Sequence, residues 1–310
     1  MRARIWVAAL AVVALSPSMA ATASVRATPQ PVCLRGSIPV SEGPGAKCAR
    51  WRRLDPWSRV PTVFATTFRP DPHATTVVYA SWLRSSASIL ALYPGYLGPG
   101  ATNLARGPEE VPPTARGRLL ATFNAGFYEA DSAAGFYVNR TLYFPMIRGL
   151  ATVVRYTNGT VNVVSWAGGP RPGANVVMAR QNLPLLVASA RPTALSANNG
   201  AWGLTLHGAP AVWRTALGVD AAGNLIYAAA PNQTAASLAR VMVDLHCVRA
   251  MELDINPEWP IFVAYARPGA GAPSLIVPNP NQIPNRFLYP STKDFFAVFQ
   301  STNPGEAQPW

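Results

Sequence analysis

From Thr62 onward the chain is written in short apolar runs cut by turn residues. TVFATTF, TTVVYASWL, SILALYP, LLATFNAGFY, GFYVNRTLYF, LATVVRYTNGTVNVVSW, LPLLVAS, AVWRTALGVDAAGNLIYAA, RAMELDI, IFVAYA and DFFAVF follow one another. Their length and their content of β-branched and aromatic residues mark them as strands. Two turns join neighbouring runs into hairpins. Asn158-Gly159 lies between TVVRYT and TVNVVSW, and Asn-Gly suits the positive φ angles of a tight hairpin. Asp220 to Gly223 turns between WRTALGV and NLIYAAA. One helix stands out: Ala235, Leu238, Val241, Met242 and Leu245 repeat at helical spacing after a capping Asn232 or Thr234. It separates the strands NLIYAAA and RAMELDI. The expected fold class is therefore α+β: mixed, largely antiparallel sheets with few helices, in a single domain.

The N-terminus is a different kind of sequence. Arg2 and Arg4 precede an apolar run from Ile5 to Leu15, and Ala-Thr-Ala at 21–23 offers a small-residue cleavage site. This is the pattern of a secretory signal peptide over residues 1–23; an uncleaved anchor is the alternative. The run is short of the ~20 residues needed to span a bilayer. Residues 24–60 are rich in Pro, Gly and Arg and read as an extended arm, with the domain proper at 61–310. Cys33 and Cys48 lie in that arm and are placed to bridge in an oxidising compartment. Cys247, at the end of the helix, reads as a buried thiol. His246 beside it does not make a metal site, because adjacent helical residues do not face one ion, and neither metal nor cofactor is expected.

The formal net charge is +12, and of the 26 basic residues only Lys47 and Lys293 are lysine. The arginines are spread singly, which argues against a nucleic-acid stripe and for attraction to anionic glycans or wall polymers. Only 14 residues are acidic, yet Glu252, Asp254 and Glu258 fall within seven positions. In AMELDIN, alternation puts Met251, Leu253 and Ile255 on one face and Glu252, Asp254 and Asn256 on the other. Carboxylates one repeat apart sit about 6–7 Å apart along a strand, a spacing that glycosidases use; a solvated face is the alternative. In VWRTALGV, Arg214 shares its face with Ala216 and Gly218. That leaves room above it for a ligand, or it is the partner of a structural carboxylate. Asn124 is the polar member of an aromatic strand, with a backbone-bonding role as the alternative. One sheet face lined by Asn124, Arg214, Glu252 and Asp254 would account for all of them.

These segments resemble the phosphodiester glycosidases, the family of the lysosomal enzyme that uncovers mannose 6-phosphate by removing N-acetylglucosamine. Asn124-Ala125-Gly126-Phe127 looks like the family's N-G-G-[FY]-F strand. Asn182-Leu183-Pro184-Leu185-Leu186-Val187 is similar to its G-P-x-L-V segment. Arg214-Thr215-Ala216-Leu217-Gly218-Val219-Asp220 resembles its R-T-A-[IL]-G-x-[DN] strand. Leu253-Asp254 falls where the family has L-D-G-G-G-S. The resemblance runs from about Thr114 to Ile255. It implies that Asp254 acts at the anomeric carbon, that Arg214 holds phosphate, and that Glu252 is a second carboxylate. It further implies that Asn124 bonds a sugar hydroxyl or orients the Asp254 carboxylate, and substrate contacts from Gly126 and Thr215. The sequence departs from the pattern after Asp254, where Ile255-Asn256-Pro257-Glu258-Trp259 replaces the glycines. Glu258 and Trp259 are then expected to form a new sugar-stacking wall.

Two functions follow. The first is a secreted or envelope-associated hydrolase of a sugar-phosphodiester linkage, with a carbohydrate or sugar-phosphate partner and no nucleic acid. The second is a non-catalytic exported protein of the same fold that binds anionic cell-envelope glycan. No G-x-S-x-G, H-E-x-x-H, P-loop or dinucleotide fingerprint occurs in the chain.

Overall fold

The computed structural model describes residues 28–33, 38–39, 48–70, 75–98, 104, 106–203, 205–301 and 303–310. Residues 1–23, expected as a signal peptide, and Lys47 lie outside the described residues. Three sheets surround one core. The largest has nine strands. Its path runs Ile38–Pro39, Val63–Arg69, Val78–Leu83, Leu225–Gln233, Val212–Val219, Arg249–Glu252, Leu185–Ala188 and Arg191–Pro192, with Arg52–Arg53 also paired to Val63–Arg69. A second sheet orders Val161–Ser165, Ala151–Tyr156, Val176–Gln181, Phe136–Val138 and Thr141–Phe144. A third orders Gly271–Leu275, Phe262–Arg267, Leu119–Asn124, Phe295–Gln300 and Ser88–Tyr93. Leu217, Tyr227 and Met251 of the first sheet, Val153 and Met178 of the second, and Phe123, Phe262 and Phe296 of the third meet in the shared core.

Among the described strands every hydrogen-bonded pairing is antiparallel. The strand–helix–strand unit fits this rule. Leu225–Gln233 and Arg249–Glu252 run parallel but flank Val212–Val219, which pairs antiparallel with both. The Asn158-Gly159 and Asp220–Gly223 hairpins form as expected, with Gly159 at φ +85° and Gly223 at φ +82°. Only glycine adopts that backbone without strain.

The helix spans Ala235–Asp244 and buries Ala235, Leu238, Ala239, Val241 and Met242 against the outer face of the large sheet. Thr234 is the cap. Its hydroxyl accepts from the Ser237 N–H at 3.1 Å while Ser237 Oγ accepts from the Thr234 N–H at 2.9 Å, so two otherwise orphaned donors are satisfied reciprocally. Asn232 instead takes a positive φ of 52° just before it. Cys247 is fully buried as a free thiol. Gly218 makes room for it, since a Cβ there would lie 2.6 Å from its Sγ.

Cys33 and Cys48 are joined as a disulfide. The C-terminal end of the arm is built into the domain: Arg52–Arg53 adds a strand, Leu54 is buried, and the buried Asp55 accepts from the Thr62 N–H at 2.8 Å. Replacing Thr234 by Ala removes half of the reciprocal cap. The variant is expected to lose about 1 kcal/mol of stability, read as a lower urea midpoint with an unchanged slope; an unshifted midpoint would refute the cap's contribution.

Candidate active site

Asp254 follows the strand Arg249–Glu252 at the point where the first and third sheets meet. Its backbone is fixed twice. Its N–H donates to the Ala125 carbonyl at 3.2 Å, and its carbonyl accepts from Thr215 Oγ at 2.7 Å. Thr215 in turn accepts from the Asn124 side-chain amide at 3.0 Å. The Asn124 carbonyl oxygen accepts from the Tyr227 hydroxyl at 2.8 Å and from the Ile261 N–H at 3.2 Å. A chain of bonds therefore runs from Tyr227 through Asn124 and Thr215 to Asp254, linking two sheets. These buried groups satisfy each other, which makes the arrangement stiff.

The Asp254 carboxylate is 3% exposed. One oxygen accepts from the Asn256 N–H at 2.9 Å, and the other is paired with Lys293 Nζ. Burial raises the Asp254 pKa above its ordinary value, and the Lys293 charge opposes that rise. Lys293 arrives on the segment leading into the strand Phe295–Gln300 of the third sheet. Its ammonium sits 4.1 Å from the Tyr128 ring centre and 5.3 Å from that of Trp259, within the range of a cation–π attraction. Burial raises the Tyr128 phenol pKa as well, a bond with the Thr292 side chain opposes this, and the charges of Asp254 and Asp294 add to it. Asp254, Lys293, Tyr128, Trp259 and Asn256 face a cleft of about 380 Å³, walled also by Phe127, Ile255 and Pro257. That is a volume typical of small-molecule sites.

Arg214 is not at the cleft surface, which corrects its assignment as the phosphate holder. It is fully buried beside a bulge in its strand. Its Nε donates to the Gln233 carbonyl at 3.0 Å. One terminal nitrogen donates to the Trp202 carbonyl at 3.1 Å and to Glu252 Oε1 at 2.5 Å, and the other donates to Asn199 Oδ1 at 3.1 Å. The structural-carboxylate alternative is the one the geometry realises, with Glu252 as that carboxylate. Glu252 is also fully buried, and its Oε2 has no hydrogen-bond partner. Burial pushes its pKa up against the pull of Arg214. Alternation did put Glu252 and Arg214 on one face, but that face is covered by the helix and by Trp202. Asp254 lies past the end of the strand and turns to the cleft instead.

Asn124 and Thr215 are likewise buried and consumed in the network under Asp254, so they position it rather than touch a ligand. Gly126 lies beneath the Arg180 guanidinium, which a Cβ would approach to 3.3 Å. Trp259 lines the cleft as expected. Glu258 is exposed and is not part of the cleft wall; its carbonyl anchors Gln282.

Sequence reasoning did not single out Lys293, Tyr128, Arg180 or Asp294. Arg180 is fully buried and bonds Asp294 Oδ2 at 2.7 Å, the Gln181 carbonyl at 2.6 Å and the Phe127 carbonyl at 2.5 Å. This pair ties the second sheet to the third immediately beside Lys293. The signal for Lys293 was its rarity: it is one of two lysines, placed next to an aspartate at the mouth of an apolar strand. Among the described residues no three His, Cys, Asp or Glu side chains gather into a group that could hold a metal ion.

The comparisons with known proteins bear on this geometry. Residues 117–254 match the phosphodiester glycosidase family. That span starts just before the strand Leu119–Asn124 and ends on Asp254, so it contains the whole bonded chain below the carboxylate. It stops before the segment Ile255–Trp259 and before Lys293. The recognition made from the motifs therefore stands, and the match supports a phosphodiester glycosidase. No curated protein sequence matches the chain significantly. Three solved structures are similar to the chain at low identity. The zebrafish N-acetylglucosamine-1-phosphodiester alpha-N-acetylglucosaminidase catalytic domain, auto-inhibited by its pro-peptide, is 16% identical with TM-score 0.47, covering 86% of this chain and 87% of that one. A Synechocystis protein is 13% identical with TM-score 0.43, covering 83% and 64%. An exported protein of Burkholderia pseudomallei is 13% identical with TM-score 0.30, covering 76% and 74%.

A buried ion pair that loses one partner leaves an uncompensated charge and costs about 3–5 kcal/mol. Arg214→Met is therefore expected to destabilise the domain by that order. Arg214→Met with Glu252→Leu should recover most of the loss. Chemical denaturation of the two variants checks this; a stable single variant with only a raised KM would restore Arg214 to the cleft.

Proposed function

We propose that the protein hydrolyses the bond between a sugar's anomeric carbon and a phosphodiester oxygen. The observation that carries this reading is the Asp254–Lys293 pair, exposed to a cleft between the Tyr128 and Trp259 rings inside a phosphodiester glycosidase framework. Lys293 has three N–H donors, of which Asp254 takes one. The remaining donors hold the phosphate as it becomes a leaving group. Asp254 supports the oxocarbenium-like state or activates water on the anomeric carbon. Water supplies the new hydroxyl at that carbon, and the phosphate departs as a monoester carrying the bonding electron pair. Tyr128 keeps its proton at neutral pH and is available to donate to a sugar or phosphate oxygen. Trp259 offers an apolar face to the ring.

Lys293 replaces Arg214 in this scheme because only Lys293 reaches the cleft. Export fits the same picture. The Cys33–Cys48 bond suits an oxidising compartment, the N-terminal pattern suits secretion, and the net charge of +12 favours an anionic envelope or extracellular glycan. One feature favours the second reading, a binding protein without turnover: both Asp254 oxygens are already engaged, by Asn256 and Lys293.

Asp254→Asn is expected to lower kcat on an aryl- or nucleotide-linked sugar phosphodiester by at least about 10²-fold with the fold intact. Lys293→Met should raise KM for phosphodiesters more than for simple aryl glycosides. The pH profile adds an independent readout. Because burial raises the Asp254 pKa, the acid limb of kcat/KM should lie above the ordinary aspartate value of 3.8. Because Lys293 opposes that rise, Lys293→Met should move the limb to still higher pH. Full turnover by Asp254→Asn would refute the assignment. Saturable binding of a sugar phosphodiester with no product from the wild-type chain would establish the binding protein instead.

A further inference from the structure

A second groove, sharing no wall residue with the Asp254 cleft, lies where the first sheet faces the edge of the third. Its volume is about 310 Å³, and Arg50, Trp51, Arg52, Thr67 and Tyr79 form its polar and aromatic walls, with Leu275 and Ile276 opposite. The backbone explains why it stays open. One edge of the strand Val63–Arg69 is covered only by two short pieces. Arg52 and Arg53 pair with Ala65 and Phe64, and Ile38 and Pro39 pair with Arg69 and Phe68. Among the described residues Thr66 and Thr67 have no strand partner on that side. The gap between the two pieces is too short to admit another strand, so it does not suit an extended peptide.

The groove also collects polar groups that the protein leaves unsatisfied. Among the described residues the Arg52 guanidinium, the Tyr79 hydroxyl and the Thr67 hydroxyl make no hydrogen bond or ion pair. No carboxylate lies in the wall, while two guanidinium groups do, so the occupant carries negative charge. Tyr79 presents ring surface, which suits the apolar face of a pyranose.

We propose that this groove is a second, non-catalytic site for an anionic saccharide unit, with Arg52 gripping the anion and Tyr79 beside the sugar. It would let the protein hold a charged glycan at a point apart from the Asp254 cleft.

The test uses the full chain and calorimetric titration with glucose 6-phosphate, glucose and inorganic phosphate. Lys293→Met serves as a background in which the first cleft has lost its cation. Glucose 6-phosphate should still bind there, and Arg52→Gln should weaken it by about tenfold or more, as expected for loss of a charge-assisted contact. Tyr79→Phe should weaken it less. Glucose and phosphate should each bind more weakly than the combined ligand. In the wild-type chain Arg52→Gln should remove one of two binding steps and leave phosphodiester turnover unchanged. Arg52 is exposed, so an unaltered melting curve is expected for that variant. The proposal is overturned by absent binding, by Arg52→Gln binding like its parent, by phosphate binding as tightly as the sugar phosphate, or by an acidic peptide outcompeting both. None of these outcomes depends on whether the first cleft is catalytic.

Discussion

A lysine and an aspartate withdrawn almost wholly from water hold this molecule's centre together. Taking two such charges out of solvent costs several kcal/mol each, and their attraction repays it only with good geometry and further hydrogen bonds. That requirement organises what surrounds Asp254. Asn256 supplies an N–H to the carboxylate, Thr215 and Ala125 fix its backbone, and Asn124 with Tyr227 fixes Thr215. On the other side the Tyr128 and Trp259 rings shelter the ammonium. The Arg180–Asp294 pair braces the segment that delivers it. Since the two charges come from different sheets, the site exists only when the sheets are packed.

Three ion pairs with little or no exposure thus lie close together, and their roles differ by exposure alone. Arg214–Glu252 and Arg180–Asp294 are sealed, and their guanidinium groups are spent on carbonyls and carboxylates. Arginine suits such fixed, multiply bonded positions because its planar fork meets several acceptors at once. Lysine is a point charge with donors left over, and it is the one that reaches the cleft. Two arginines build the frame, and the chain's rarer base type faces the cleft.

Much of this was legible in the sequence. Strand lengths, the Asn158-Gly159 turn and the helical repeat from Ala235 to Leu245 report local energetics, which a window of a few residues expresses directly. Asp254 was visible because an acid on an apolar strand demands a reason. Arg214 was visible for the same cause, but whether such a residue is a tool or a brace depends on what covers it. Trp202 and Asn199 do so from an irregular loop 12 and 15 residues upstream, which strand periodicity does not register. Lys293 was hidden because its partner lies 39 residues away and its rings come from two further segments. Glu258 and Trp259 are adjacent in sequence yet part company, since the turn there sends one outward and the other into the cleft.

The turn after Asp254 carries a further consequence. Where the family pattern has successive glycines, this chain has Ile255-Asn256-Pro257, with Pro260 soon after, and the side chain of Asn279 donates to the carbonyls of both prolines, at 2.9 and 3.0 Å. Gln282 adds a third tie at Glu258. A loop nailed down in this way does not swing over a bound molecule. Under the proposed function, selection among glycans would then rest on fit to a fixed aperture and not on closure. Altering Asn279, far from any reacting atom, would therefore reshape what the aperture admits.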